Sequence, residues 1–330
     1  MADAKISALT NYTTPIGTDV LPIVDVTNVI TKKIPLNVLA SILNLPEGVM
    51  VNGKIVPSVT SNNLTIALKT LAGNDPSATD PVYCRIGGVV RTITGALNIG
   101  TQSAGTSYLN LGSAELATKE TDLFVYLDYN TSLTSVQILV SRIPYANTVG
   151  DFTFSTTVEK GILRTSISNN STDVVVNIGR FAATLSAGAG YTWSVPTFTA
   201  SNLINRPIYE TRVLQFSPQY TGGTNQPLFN NTTYQLVGKN VSVIIAASSL
   251  ITSNSTAMTV SMPFVAGIGF GVMISGGRIY DNSGLLSTMG AIYLNSSSNA
   301  FTVTPSNTAV WTATGTKLAE PVITYPISNP

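Results

Sequence analysis

Histidine is absent from this chain of 330 residues, and cysteine occurs once. The first absence removes the commonest general base, the commonest metal ligand and the side chain that titrates near neutral pH. The second excludes an internal disulfide and a multi-cysteine zinc site. Charge is scarce too: Asp, Glu, Lys and Arg make up 10% of the residues, against about 25% in ordinary soluble domains. A net charge of +1 gives neither the basic footprint of a nucleic-acid-binding protein nor an acidic tail. The start, Met1-Ala2-Asp3-Ala4-Lys5, lacks the apolar run of a secretion signal. The longest apolar stretch, Met262–Ile274, holds a proline and three glycines and falls short of the ~20 residues of a membrane span. These features predict synthesis in a cytosol, no membrane insertion and no nucleic-acid partner.

What is present is apolar and amide- or hydroxyl-rich. Hydrophobic residues reach 44%, enough for a large core, with Ser, Thr, Asn and Gly supplying much of the rest. Leu64–Lys69 alternates with period two, the mark of a half-buried strand. Further strands are predicted at Val82–Ile86, Val89–Ile93, Leu123–Tyr129, Val136–Arg142, Val174–Ile178 and Tyr191–Phe198. Gly87-Gly88 reads as a hairpin turn. The one helix-like stretch in this part is Ala114–Glu120. A boundary is expected near Ser201–Arg206. Beyond it come strands at Val213–Phe216, Val241–Ala247, Met258–Phe264, Gly269–Ile274, Arg278–Tyr280, Ala291–Leu294, Phe301–Thr304 and Ala309–Ala313. The prediction is an all-β chain with a central β domain, residues 49–206, and a C-terminal domain, residues 207–330. Both are read as antiparallel β-sandwiches, the second jelly-roll-like.

Residues 1–48 differ from the remainder of the chain. Val20–Val26 and Ile30–Ile34 read as two strands joined around Thr27-Asn28. Pro35 then opens a short helix, Leu36–Leu43, with Leu36, Leu39, Ile42 and Leu43 at helical spacing. A hairpin plus a short helix cannot bury enough surface to be stable alone. It must fold against copies of itself or a docking partner, which makes Leu21, Ile23, Val24, Ile34 and the four residues of the helical stripe the candidate docking residues.

Chemistry is hard to find. Asp75 and Asp80, each followed by proline, read as turn residues, and a calcium loop would need a denser run of oxygen ligands. Asp281-Asn282-Ser283-Gly284 has the same turn character. Gly267-Ile268-Gly269-Phe270-Gly271 lacks the helix and distal acid of a dinucleotide fingerprint. Cys84, within Val82–Ile86, reads as a buried thiol. Glu115, Glu120, Asp122 and Asp128 show no spacing that pairs two carboxylates across a sugar. No catalytic residue, metal ligand or cofactor is therefore expected. Aromatic residues are the better lead: Tyr outnumbers Phe, 13 to 10, and Trp193 and Trp311 complete the set. Rings beside Asn, Ser and Thr suit saccharide or surface recognition, while the plainer role for both tryptophans is to anchor a core.

Three groups of residues carry a resemblance. The ordered set Ile6-Ser7-Ala8-Leu9-Thr10, Thr18–Asp25 and Thr31-Lys32-Lys33-Ile34 before Leu39 resembles the N-terminal segment of many tailed-phage fibre and other virion proteins. The stretches Leu71–Pro76 and Ser186–Trp193 look like such proteins as well, as do Thr252–Met258, Gly277–Asn282 and Gly315-Thr316-Lys317. The resemblance implies a virion-attachment segment at the N-terminus and a β head at the C-terminus, usually trimeric. It transfers no catalytic residue, and it does not separate tail fibres from capsid-attached fibres or decorations. The expectation is a virion protein made in the host cytoplasm, a homotrimer that docks to other virion proteins by residues 1–46. Its host-facing end would meet a cell-surface glycan or protein. Candidate contact residues are Tyr220, Asn225, Asn254, Tyr280, Asp281 and Asn282, in the loops Tyr220–Asn231, Ser248–Thr256 and Tyr280–Ser287. A capsid-attached structural role is the alternative, and a polysaccharide depolymerase a more distant one.

Overall fold

A computed structural model describes residues 20–25, 30–35, 45–100, 115–152, 163–164, 171–186, 192–201, 209–267, 272–274, 276–286, 291–293, 300–305 and 310–327. Among them the protein is all-β: every strand pairing is antiparallel, no α-helix occurs, and Val149–Phe152 makes a 3-10 turn. The N-terminal strands form as a hairpin, Val20–Asp25 paired with Ile30–Pro35 in the register Val20↔Pro35. The helix expected at Leu36–Leu43 lies outside the described residues.

The centre of the chain is organised by Glu120–Asn130, flanked by Ser135–Ser141 and Val175–Thr184 in a five-stranded sheet. Thr121 through Asp128 are buried without a break, so this strand is covered on both faces, a pattern that alternation would not reveal. Two three-stranded sheets adjoin it. One is built on Asn63–Thr70, whose Leu64, Ile66 and Leu68 point inward as the period-two pattern predicts. The other is the hairpin Val82–Ile86/Val89–Ile93 with Met50–Val51. Its turn is Gly87-Gly88 with φ of 60° and 79°, the left-handed pair that a tight two-residue hairpin turn requires.

The C-terminal half contains a seven-stranded and a four-stranded sheet. In the former, Thr316–Pro326 lies between Asn240–Ile244 and Gly276–Asp281, and Ile251–Thr252 joins its first residues. In the latter, Ala300–Thr304 lies between Thr259–Ser261 and Ala291–Tyr293. Aromatic contacts join the two sheets in a sandwich-like arrangement. Phe301 meets Tyr325 edge-on at 5.0 Å, and the Tyr325 hydroxyl donates to the Phe264 carbonyl at 2.9 Å. Trp311 is buried, its Nε1–H donating to the Val303 carbonyl at 2.6 Å.

The buried apolar residues form one cluster running from Met50 to Ile327, across the expected boundary. Charged residues also cross that seam. Arg212 grips Asp122 at 2.6 Å and Glu120 at 2.9 Å. Arg142 lies over the Phe264 ring and donates to the Pro263 carbonyl at 2.7 Å, and Lys239 pairs with Asp151 at 2.7 Å.

Several local expectations fail. Glu115–Lys119 is turn, not helix, and Glu120 already belongs to a strand. Thr192–Thr197 is irregular, with Trp193 making a single bridge to Leu185 before the strand Phe198–Ser201. Val310–Ala313 has no strand, because Trp311 is held by its indole rather than in a ladder. The strands Gly53–Thr60, Leu97–Gly100 and Thr233–Val237 are additional to those predicted, as is Thr316–Pro326. Pro321 argues against a central strand, but it stands opposite Gly277, and its carbonyl is used by Ile245 N–H.

Candidate functional site

The three loops singled out for recognition come from distant parts of the sequence, and the fold brings them to one end of the C-terminal half, around the start of Thr316–Pro326. Two are laced together directly. Thr224 N–H donates to the Thr252 carbonyl at 3.0 Å and Asn254 N–H to that of Gly222 at 3.2 Å. Asn225 clamps the same pair, its Oδ1 accepting from Thr252 N–H at 2.6 Å. The third loop joins through Thr316–Pro326 and its approach: Ser253 N–H donates to the Gly315 carbonyl and Ser283 N–H to that of Thr316. Asp281 accepts from the Thr312 amide at 3.0 Å and its hydroxyl at 2.9 Å.

Lys317 stands at the centre of this arrangement with 0% exposure. Its Nζ donates to the carbonyls of Ser255 at 2.7 Å and Ala257 at 3.0 Å, and lies 5.7 Å from the centre of the Trp311 ring. Removal from water lowers the lysine's pKa, with Asp281 opposing that shift. Gly222 closes over the ammonium: with φ of +82°, any β-carbon there would sit 2.0 Å from the Ala257 carbonyl oxygen and 3.0 Å from Nζ. A buried ammonium bonded to loop carbonyls fixes loops that have few ladder hydrogen bonds of their own.

Of the predicted contact residues, Asn225, Asn254 and Asn282 are exposed, while Tyr280 and Asp281 are half-buried. Asn282 and Ser283, with φ of 47° and 67°, form the tight turn between Gly276–Asp281 and Gly284–Leu285. Tyr220 requires correction as a surface contact. It is 3% exposed, stacks on Phe229 and donates its hydroxyl to the Ala319 carbonyl, and burial raises its pKa. A tyrosine at a loop edge is drawn inward when its ring closes the core and its hydroxyl finds a carbonyl. Sequence reasoning missed the apolar members of this end: Leu228, Leu285 and Val310 are 69%, 61% and 72% exposed. Of the candidate docking residues, Leu21, Ile23, Val24 and Ile34 lie in the paired N-terminal strands, and Leu36, Leu39, Ile42 and Leu43 fall outside the described residues.

A second concave feature lies at the seam, a cleft of about 500 Å³. Tyr145 and Tyr209 meet edge-to-face there at 5.0 Å, and the Asn147 amide donates to the Tyr145 hydroxyl at 2.8 Å. Partial burial, with Tyr145 alongside, raises the pKa of Tyr209. Neither tyrosine stood out in the sequence, where Tyr145 follows Pro144 and Tyr209 comes two residues after Pro207.

The scattered carboxylates have structural employment. Glu120 and Asp122 share Arg212, and Glu120's pKa is lowered first by the Thr197 hydroxyl and then by that arginine. The lowered pKa of Glu120 is the opposite of the raised one a general acid needs. Asp75 pairs with Lys69 and Asp80 accepts from the Asn52 amide. Cys84 is buried, its thiol pushed up to about 12 by desolvation, with Glu47 adding to the shift. Trp193 is half-buried against the core. No protein-family model, curated protein or solved structure matches the chain.

Proposed function

We propose that the chain is a non-catalytic virion protein of a tailed bacteriophage, a tail fibre or tail-tip adhesin. It docks by its N-terminal hairpin and meets the host surface by the loop end of a jelly-roll-like C-terminal sandwich. The observation that carries the reading is the convergence of three polar loops, from residues 220–231, 248–256 and 280–287, on the buried Lys317. Their exposed asparagine amides stand among exposed Leu228, Leu285 and Val310. Rigidly held loops with adaptable polar tips and apolar patches are what a receptor-contacting surface requires. The resemblance of the N-terminal residues to virion-attachment segments supplies the other end of the reading.

Association into trimers has its own support. On the seven-stranded sheet Ile244 and Val322 stand directly opposite each other, each 50% exposed, with Val237 at 49%. A sheet face with so much apolar surface and so little charge favours contact with another copy. Light scattering should return three times the chain mass. Labelled antibody on intact particles should mark the tail end, and labelling of capsid faces would move the protein to a decoration role. Host cells pre-incubated with the full chain should adsorb fewer phage. The Asn225→Ala/Asn254→Ala/Asn282→Ala chain should compete poorly, and equal competition would remove recognition from this surface.

A further inference from the structure

Five arginine side chains among the described residues have an acidic or carbonyl partner. Arg85 pairs with Glu47, Arg180 and Arg212 with Asp122, and Arg278 with Glu320. Arg142 donates to a carbonyl. Arg91 faces no carboxylate among the described residues. Its guanidinium lies on the Tyr129 ring, 3.5 Å from the centroid, and its Nε is buried without a hydrogen-bond partner. A buried donor left unsatisfied is unfavourable, but Arg180 shares that feature; what sets Arg91 apart is that no carboxylate among the described residues answers its charge. The stack holds the guanidinium plane fixed and partly desolvated, which strengthens its attraction for an anion.

Arg91 also lines a cleft. The space, about 490 Å³, lies between the strand Val89–Ile93 with its following residues and the turn after Glu120–Asn130. That volume is within the roughly 300–1,000 Å³ of small-molecule sites. Leu97, Val136 and Tyr129 are half-buried against the core and give it apolar wall, and the polar residues Thr92, Thr94 and Ser135 also line it. The turn is held from within: Asn130 Oδ1 accepts from the Ser132 and Leu133 amides at 3.0 and 2.9 Å.

We propose that this cleft binds an acidic saccharide, with Arg91 holding the sugar carboxylate. A fixed guanidinium matches a carboxylate in a fork of two parallel hydrogen bonds. Apolar wall suits the C–H face of a pyranose ring, and threonine and serine hydroxyls suit its hydroxyls. A neutral sugar leaves the arginine unsatisfied, and a simple aliphatic acid leaves the hydroxyls unused. The cleft is built from the central half, apart from the three-loop end, so this inference neither needs nor tests the adhesin reading.

The test is calorimetric titration of the full chain with a galacturonic-acid trisaccharide, with the matching neutral galactose trisaccharide and with inorganic phosphate. Expected is binding of the uronide, at least tenfold tighter than the neutral sugar, weakening several-fold from low to high salt as a charge contact should. Arg91→Gln should reduce uronide affinity at least tenfold, and Arg91→Lys, which keeps the charge without the fork, less. Should Arg91→Gln disturb the small sheet by near-ultraviolet circular dichroism, Thr92→Val and Thr94→Val decide: a few-fold loss of uronide affinity supports the site. Equal affinity for the neutral sugar, phosphate competing at the uronide's own concentration, or indifference to all of these substitutions would each overturn it.

Discussion

At the seam between the halves, Asp122 has no exposed side-chain surface and meets Arg212 at 2.6 Å and Arg180 at 3.8 Å. At the loop end, Lys317 is as deeply buried but spends its hydrogen bonds on the carbonyls of Ser255 and Ala257. The seam is a tie of charge to charge between rigid sheets, where the strand backbones are already bonded and side chains alone span the gap. The loop end is a tie of charge to backbone, where the backbone itself needs partners. In a chain with so few charges, both places spend theirs internally.

The sharpest way to break the comparison is to remove one centre at a time. Asp122→Ala leaves Arg212, its amide and Arg180 without their shared acceptor. Arg212 is 39% exposed and can turn partly to water, so the loss should lower the unfolding free energy by about 2–3 kcal/mol, read from urea denaturation. A loss below about 1 kcal/mol would show that the arginines simply turn to water, as surface pairs do. Lys317→Met keeps the stem's packing and removes the donor, at a cost of about 2 kcal/mol. Its signature should be local: faster amide exchange at Thr224, Ser253, Asn254 and Ser283, with the seam unaffected. Uniform acceleration would mean that the loop end is not separately held.

Glycine substitutions sharpen the same contrast. Gly222→Ala meets a carbonyl at 2.0 Å beside Lys317, whereas Gly238, with φ of +59°, opens on free space at a hairpin tip. Strain in the left-handed region alone should cost Gly238→Ala about 1 kcal/mol. The added clash should bring Gly222→Ala to about 2 kcal/mol or more. Equal costs would show that the Ala257 carbonyl gives way to a β-carbon at residue 222.

The smallest effect is a pH dependence belonging to the central half. Cys84 stays protonated in the folded chain up to about 12, whereas an unfolded cysteine ionises near pH ~8.5. The folded state therefore binds more protons in that window. Stability is full below it and falls as pH rises, by up to about 1.4 kcal/mol per unit. Buried Tyr220, in the C-terminal half, also has a raised pKa, but an unfolded tyrosine ionises only near pH ~10. Between about pH 9 and 10 the slope should thus flatten in Cys84→Ala. An unchanged slope would assign the effect to other groups.

Much of the local structure was legible. Val82–Ile86, Val89–Ile93 and their glycine turn form as the residues predict, because a half-buried strand and a left-handed turn have local signatures. Thr316–Pro326 was illegible, since Lys317, Glu320 and Pro321 are individually poor residues for a central strand. Each is admitted by a partner far away in the chain: Lys317 by Ser255, Glu320 by Arg278 and Ala247, Pro321 by Gly277. Tyr220 was misplaced for the same reason, its hydroxyl finding Ala319, distant in sequence. Arg91 and Tyr129 likewise lie on different sheets, and nothing local announces their stack.

By itself the sequence determined the all-β class, the apolar core, the scarcity of charge and the loops worth watching, because strand alternation, turn chemistry and composition are properties of short segments. Only the tertiary structure decided that three of those loops meet, that Lys317 holds them, that Asp122 ties the halves and that Arg91 stands over a cleft without a carboxylate among the described residues. Each of those facts is a pairing between residues tens of positions apart. Period-two patterns say which face of a strand is buried but nothing about which strand lies beside it, and here the neighbour decides where the few charges go.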